Sequence, residues 1–254
     1  MDTLNPLDGR VAVVTGASSG IGVATARRLA AGGAAVALIA RRADRLDALA
    51  SELGDRALPV AADATDPDAL DAAAASIADR LGAPDLVVAN AGVMLPAPFE
   101  EGRRDDWLRM VDLNLVGVLD TLRAFLPGVL SAADADRPAD LVVVSSLAAR
   151  ATFPGYAVYC ATKAAVTHLA AGLRAELGGR GVRVTNVEPG LIDTELADHI
   201  GHDAEREALA QWRATVGTLV AEDVADAIAH VAGRPAHVHL GDLLIQPTRQ
   251  AVGA

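Results

Sequence analysis

Lysine is almost missing from this chain. Of its 22 basic residues only Lys163 is a lysine, and the rest are arginine. Cysteine is reduced to Cys160, which excludes an intrachain disulfide and any multi-cysteine metal site; no metal is expected. Aromatic residues contribute 3% of the composition, so the core must be packed from small aliphatic side chains, with helices lying near their sheet. Asparagine occurs only at Asn5, Asn90, Asn114 and Asn186. The net charge of −11 leaves no basic stripe to neutralise phosphates along a duplex, so nucleic-acid binding is not expected. No uninterrupted apolar run reaches the roughly 18 residues expected of a membrane span. The opening residues Met1-Asp2-Thr3-Leu4-Asn5-Pro6 have neither the basic nor the apolar part of a secretory leader. The expectation is a soluble cytoplasmic protein.

What is present is apolar and periodic. The chain has 254 residues, 52% of them apolar and many of these alanine, which suits one large α/β domain. Strands are expected at 11–15, 35–40, 57–61, 85–89, 141–145, 183–187 and 243–245. Helices are expected at 21–31, 44–53, 66–81, 105–130 and 156–177, with a polar loop at 132–139. The strands are continuous runs of Val, Leu, Ile and Ala, as parallel strands buried on both faces require. Regular alternation with helices predicts a doubly wound, seven-stranded parallel sheet in a single domain, helices on both faces. Residues 193–218 break that rhythm and are expected to form a lid over the carboxyl ends of the strands, where ligands bind.

Gly16, Ser18, Ser19, Gly20, Ile21 and Gly22 follow the first strand within Thr15-Gly16-Ala17-Ser18-Ser19-Gly20-Ile21-Gly22. Three glycines allow a tight turn, close approach to a pyrophosphate and close packing of helix on strand. The following helix offers unpaired N–H groups and a positive dipole end. With its Gly-x3-Gly-x-Gly spacing the chain resembles the short-chain dehydrogenase/reductase family, in its compact branch of about 250 residues. The resemblance extends over essentially the whole sequence and implies a Rossmann-type fold.

The second strand ends at Ala40, where an NAD-binding chain usually carries an acid. Arg41 follows it, then Arg42. Guanidinium groups can grip a 2′-phosphate through paired hydrogen bonds, so Arg41, helped by Arg42 and Ser18, argues for NADP(H). Both arginines could instead begin a solvated helix, which leaves an NAD-linked enzyme as the alternative. The family resemblance implies further cofactor contacts from Asp63 with Ala64, from Asn90-Ala91-Gly92, and from Pro189-Gly190-Leu191-Ile192-Asp193-Thr194, where Pro189, Gly190, Ile192 and Thr194 would position the nicotinamide carboxamide.

Tyr159 and Lys163 are four apart on a predicted helix, hence on one face and about 6 Å apart along the axis. A free tyrosine has a pKa near ~10, and a neighbouring ammonium stabilises its phenolate. Tyr159 is thus the expected general acid for carbonyl reduction and base for alcohol oxidation. Tyr156, seven residues from Lys163, is too distant to be coupled to it. Ser146 stands at the end of the fifth strand beside Ser145, and the family pattern favours Ser146 as the group that steadies the carbonyl oxygen. The resemblance also implies that Lys163 binds the nicotinamide ribose and that Asn114 holds a water linking Lys163 to solvent.

The substrate pocket is expected to be lined by Met94, Leu95, Ser146, Leu147, Phe153, Leu191, Leu196 and Ile200, mainly apolar and suited to a neutral substrate. The expected partner is a small carbonyl compound or alcohol, a hydroxy acid or aldehyde among them. The resemblance implies a homotetramer or homodimer, assembled through alanine-rich faces of the long helices. The competing class is a non-catalytic cofactor-binding regulator on the same fold. Cys160 reads as packing, His199 and His202 as surface, His237 and His239 as too few for a metal site, Arg150 as a loop anchor, and Glu188 has no expected role.

Overall fold

The computed structural model describes residues 6–250; Asn5 and the rest of the 1–5 segment read above as lacking a leader lie outside them. Seven strands form one parallel sheet: β1 (Val11–Thr15), β2 (Ala35–Ala40), β3 (Ala57–Ala61), β4 (Leu86–Ala89), β5 (Asp140–Val144), β6 (Arg183–Pro189) and β7 (Asp242–Ile245). Their order is β3-β2-β1-β4-β5-β6-β7, with a reversal of direction of winding between β1 and β4. The helices are α1 (Gly20–Ala31), α2 (Ala43–Leu53), α3 (Pro67–Leu81), α4 (Arg104–Val111), α5 (Gly117–Asp134), α6 (Ala157–Leu177), α7 (Asp203–Val216) and α8 (Ala221–Ala232). The expected doubly wound architecture is therefore the one observed.

Alternate residues of each strand feed two cores. Ala12, Val14, Val36 and Leu38 join Leu29, Leu46 and Ile228 on the side of α1, α2 and α8. Val13, Ala37, Ile39 and Val87 join Leu70, Ile77, Leu122, Phe125 and Val166 on the side of α3, α5 and α6. Both faces are apolar, which explains why the strands do not alternate in sequence. Phe125 is the only aromatic side chain in these two cores among the described residues, and close approach does what rings would otherwise do. A Cβ on Gly128 of α5, for example, would lie 2.6 Å from the Pro84 carbonyl oxygen.

Two expectations change in detail. The single helix expected at 105–130 is two helices joined by a π-helical turn, Asp112–Val116, whose extra residue turns Asn114 inward to complete burial. The loop expected at 132–139 starts later, because α5 continues to Asp134. The span Arg104–Asp134 is long and apolar enough to cross a membrane by length and composition. Its apolar residues Val118, Leu122, Phe125 and Val129 instead pack on the sheet.

The amino ends of the strands are tied by buried charge. Arg10 Nε meets Asp85 Oδ1 at 2.7 Å and Arg10 Nη2 meets Asp140 Oδ2 at 2.8 Å. Arg183 grips the same Asp140 with two donors, at 2.7 and 2.8 Å, and also donates to the Ala232 carbonyl at the end of α8. Burial pushes the Asp85 carboxyl up, against the pull of Arg10 and Arg137. Each charge is tolerable only because its partners stay in place. Asp140→Ala leaves two guanidinium groups buried without their shared carboxylate and is expected to cost about 3–5 kcal/mol of stability, read by urea unfolding; a loss within ~0.5 kcal/mol would show that the network is inert.

Candidate active site

A cleft of about 1010 Å³ runs along the carboxyl ends of the strands, from Arg41 and Asp63 at one end to Ser146, Tyr159 and Lys163 at the other. Every site residue expected from sequence lines it except Gly22, Asn114, Leu95 and Ile200.

The turn after β1 is built by exclusion. Gly16 and Gly20 take φ of 69° and 51°, a region that side chains with a Cβ avoid. A Cβ on Gly22 would lie 2.2 Å from the Gly16 carbonyl oxygen and 2.9 Å from Asn90 Nδ2, so Gly22 belongs under the turn and not on the cleft wall. Asn90 Nδ2 donates to the Thr15 carbonyl at 2.9 Å, and Thr15 Oγ1 accepts from the Asn90 and Ala91 amides at 3.0 and 3.2 Å. The scarce Asn90 thus locks β4 to the end of β1. No side chain caps the start of α1, which leaves its first amides directed at the cleft. These close approaches admit backbone but no side chain and fit the pyrophosphate of a dinucleotide.

At the far end the two arginines divide differently from expectation. Arg41 is 74% exposed and only loosely paired with Asp63, at 3.7 Å, because it projects outward past the end of β2. Arg42 is the one folded over the turn, where its Nε and Nη2 donate to Ser18 Oγ and Ser19 Oγ at 3.0 and 2.8 Å. Asp63 accepts from the Thr65 amide and hydroxyl at 3.0 and 2.8 Å.

At the near end, α6 places Tyr159 and Lys163 on its buried face, as their spacing predicted. Ser146 lies within hydrogen-bonding reach of the phenol. Ser145 is turned away, with Thr167 Oγ1 donating to its Oγ at 3.0 Å, and Ser146 is the serine that faces the phenol. Lys163 Nζ donates to the Val144 carbonyl at 3.0 Å and sits 5.9 Å from the centre of the Tyr159 ring. The ammonium's hydrogen bond thus goes to the backbone at the end of β5, and its charge faces the Tyr159 ring. Burial pushes the Tyr159 phenol up to about 12, the Ser146 hydrogen bond opposing it. This differs from the expected lowering by Lys163: desolvation is the largest cause, and the group that opposes it is Ser146. Burial likewise brings Lys163 down to about 8.

Asn114 sits behind these groups. Its Oδ1 accepts from the Val93 amide at 2.8 Å, and its Nδ2 donates to the Val93 carbonyl and Thr162 Oγ1 at 2.9 and 3.2 Å. Its side chain is thus committed to holding the segment after β4 against α6. The place is tight: a Cβ on Gly92 would lie 3.2 Å from Asn114 Oδ1 and 3.5 Å from Lys163 Nζ.

Residues 10–205 match the family described as short chain dehydrogenase. The chain belongs to this family. It is 38% identical to a serine 3-dehydrogenase of Agrobacterium fabrum, over 94% of each chain. It is 39% identical to a sulfoacetaldehyde reductase of Chromohalobacter salexigens, over 95% of each. A glycine betaine reductase of Emericella nidulans is also 39% identical, but this chain spans only 19% of that protein. A solved serine dehydrogenase in its closed form with NADP+ superimposes with a TM-score of 0.87 at 33% identity, covering 96% of this chain and 97% of that one. As a short-chain dehydrogenase, the chain is an oxidoreductase that uses a nicotinamide cofactor to interconvert alcohols and carbonyl compounds.

The substrate side of this short-chain dehydrogenase differs from the apolar pocket expected. Met94, Leu147, Phe153, Leu191 and Leu196 do line it. Leu95 and Ile200 do not; they are buried behind the wall, in the same apolar cluster as the lining residues Met94 and Leu191. The segment expected to form a lid, residues 193–218, contains the short turn Glu195–His199 and α7. Its two ends are stitched together by the Asp193 amide to the Leu219 carbonyl at 3.0 Å and the Leu219 amide to the Leu191 carbonyl at 2.9 Å. From α7, Glu205, Ala208, Leu209, Trp212 and Arg213 reach the cleft. Sequence reasoning overlooked these residues, although their i, i+3, i+4, i+7, i+8 spacing marks one helix face.

His199, read as surface, lines the cleft too. His202 accepts the Glu205 amide at the start of α7 and pairs with Glu101 at 2.9 Å. Tyr156 stands just before α6, its phenol pushed up to about 12 by burial and by Glu205. Gln250 was also missed, and no local pattern announces it: its Oε1 accepts the Leu191 amide at 2.8 Å and steadies the turn after β6. Glu188, which had no expected role, is fully buried and pairs with Arg150 while accepting from Asn186 at 2.9 Å. Arg150 is thereby the anchor it was expected to be. No group of three potential metal ligands exists among the described residues.

Proposed function

We propose that this short-chain dehydrogenase is an NADP(H)-dependent reductase of a small, polar aldehyde or ketone, equally an alcohol or hydroxy-acid dehydrogenase in reverse. The observation that carries the reading is one buried constellation: the Tyr159 phenol with Ser146 at its oxygen and the chain's single lysine against its ring. The close glycine packing and the uncapped α1 would hold the cofactor's phosphates, and Arg42, Ser18 and Ser19 its 2′-phosphate. The turn Pro189–Thr194 and Lys163 would hold its nicotinamide end. The cofactor supplies hydride to the carbonyl carbon, or accepts it from the alcohol.

The chain's own residues do the rest. Ser146 donates a hydrogen bond to the substrate oxygen and steadies the charge that develops there. Tyr159, a neutral phenol at neutral pH whose pKa burial raises further, delivers its proton to that oxygen. Lys163, positively charged below pH of about 8, offsets the negative charge left on the phenol oxygen. Asn114 keeps the Val93 segment and Thr162 in register behind them. Residues 193–218 act as a lid that excludes water. Arg213 and His199 suit a substrate with a polar or anionic group, in keeping with the serine and sulfoacetaldehyde named for its relatives.

We place the enzyme in the cytoplasm as a homotetramer or homodimer. The exposed Leu108, Val116 and Leu119 on the long helical span supply an apolar face for a second copy.

Tyr159→Phe removes the transferable proton and is expected to lower kcat at least ~1,000-fold while NADPH binding, read by fluorescence titration, stays within about twofold. Retained turnover would remove Tyr159 as the proton donor. With its pKa near 8, Lys163 carries its charge below that pH and loses it above. The kcat/KM for NADPH is thus expected to be flat from about pH 6 to 7 and to fall roughly tenfold per unit above about 8.5; a plateau up to pH 10 contradicts this. Arg42→Ala is expected to raise the KM for NADPH about tenfold or more and that for NADH less than about twofold, with Arg41→Ala the milder of the two. Equal effects on both cofactors would overturn the NADP(H) preference.

A further inference from the structure

All three guanidinium nitrogens of Arg42 are already engaged in hydrogen bonds. Beyond its bonds to Ser18 and Ser19, its Nη1 donates to Glu195 Oε2 at 3.0 Å. Arg45 closes on the same carboxylate from α2, its Nη1 lying 2.7 Å from Oε1 and 2.9 Å from Oε2. Glu195 opens the short turn Glu195–His199 that leads into the lid. The residue before it, Thr194, presses on the phosphate-binding turn so closely that a Cβ on Gly20 would lie 3.1 Å from its methyl group. The first residues of the lid segment are thus fastened across the cleft by a carboxylate held between two guanidinium groups.

A carboxylate and a phosphate monoester offer a guanidinium the same paired acceptor oxygens. Arg42 and Arg45 cannot grip both in the same place, and two anions crowded there would repel. We propose that Glu195 stands in for the 2′-phosphate: arrival of NADP(H) displaces the Glu195 carboxylate from Arg42 and Arg45 and frees the 195–199 turn. This rests on the NADP(H) reading above and adds to it a residue that sets cofactor discrimination. NAD(H) has only a hydroxyl at that position and leaves the turn fastened. Recognition of one phosphate at the adenosine end thereby moves the lid that borders the substrate end.

The test uses the full chain and two probes without nicotinamide, 2′,5′-ADP and ADP, followed by calorimetric titration. Glu195→Gln, which keeps the shape and removes the competing charge, is expected to bind 2′,5′-ADP about fivefold tighter than wild type with ADP unchanged, a gain scaled to two half-exposed ion pairs. Unchanged or weaker binding of 2′,5′-ADP by the variant overturns the proposal. Hydrogen exchange on the wild type gives a readout that needs no variant: amides 195–199 are expected to lose protection with saturating 2′,5′-ADP and to keep it with ADP. Equal or greater protection with 2′,5′-ADP also overturns it. Equal KM of the wild type for NADPH and NADH is a different failure, since it removes the NADP(H) reading itself and leaves nothing to displace Glu195.

Discussion

A contact with no room for a side chain organises this enzyme. Gly22, in the first turn of α1, lies so near the Gly16 carbonyl that a methyl group would collide with it. That approach draws the start of α1 onto the end of β1 and turns its uncapped amides to the cleft. Asn90 completes the arrangement, because its amide spans from β4 to the Thr15 carbonyl at the place where the winding of the sheet reverses. In an open parallel sheet, that reversal leaves a crevice outside the strand ends. The two glycines and the asparagine decide how deep the crevice is and which of its walls is backbone.

The opposite edge of the sheet shows the same economy with charge. At the amino ends, Arg10, Asp85, Asp140 and Arg183 are buried but mutually paired, so ionisation there is structural. At the carboxyl ends, Lys163 is buried with the Val144 carbonyl as its one hydrogen-bond partner among the described residues, and burial lowers its pKa to about 8. Holding an ammonium in such surroundings costs stability, and active sites are where such costs are retained. The phenol beside it pays no ionisation cost while neutral, which suits a group that must first give up a proton.

Much of this was legible because the informative residues are locally constrained. Continuous apolar runs identified buried strands, the three glycines identified the turn, and Tyr159 and Lys163 met because four residues return a helix to the same face. Interactions closed over long sequence distances were not legible. Nothing near Gln250 signals that it will accept the Leu191 amide, and nothing near Glu195 signals Arg42 and Arg45 some 150 residues earlier. The π-helical turn at Asp112–Val116 was hidden for another reason: one added residue does not disturb a helical pattern enough to be read, yet it decides where Asn114 points. Arg41 and Arg42 show the limit most sharply. Sequence placed both at the end of β2, but only the backbone angle there determines which guanidinium folds inward.

The distribution of cations follows from what each kind can do. Arginine remains charged under all ordinary conditions, and its planar fork matches carboxylates and phosphates. It therefore serves the buried pairs at the amino ends and the anion site formed by Arg42 and Arg45. An ammonium is compact, and burial shifts its pKa into the range where proton transfer operates. At Lys163, where the charge faces the Tyr159 ring and a Cβ on Gly92 would lie 3.5 Å from Nζ, a guanidinium would not titrate near neutrality. A chain that uses arginine everywhere else keeps its single lysine at the one position where a movable pKa is required.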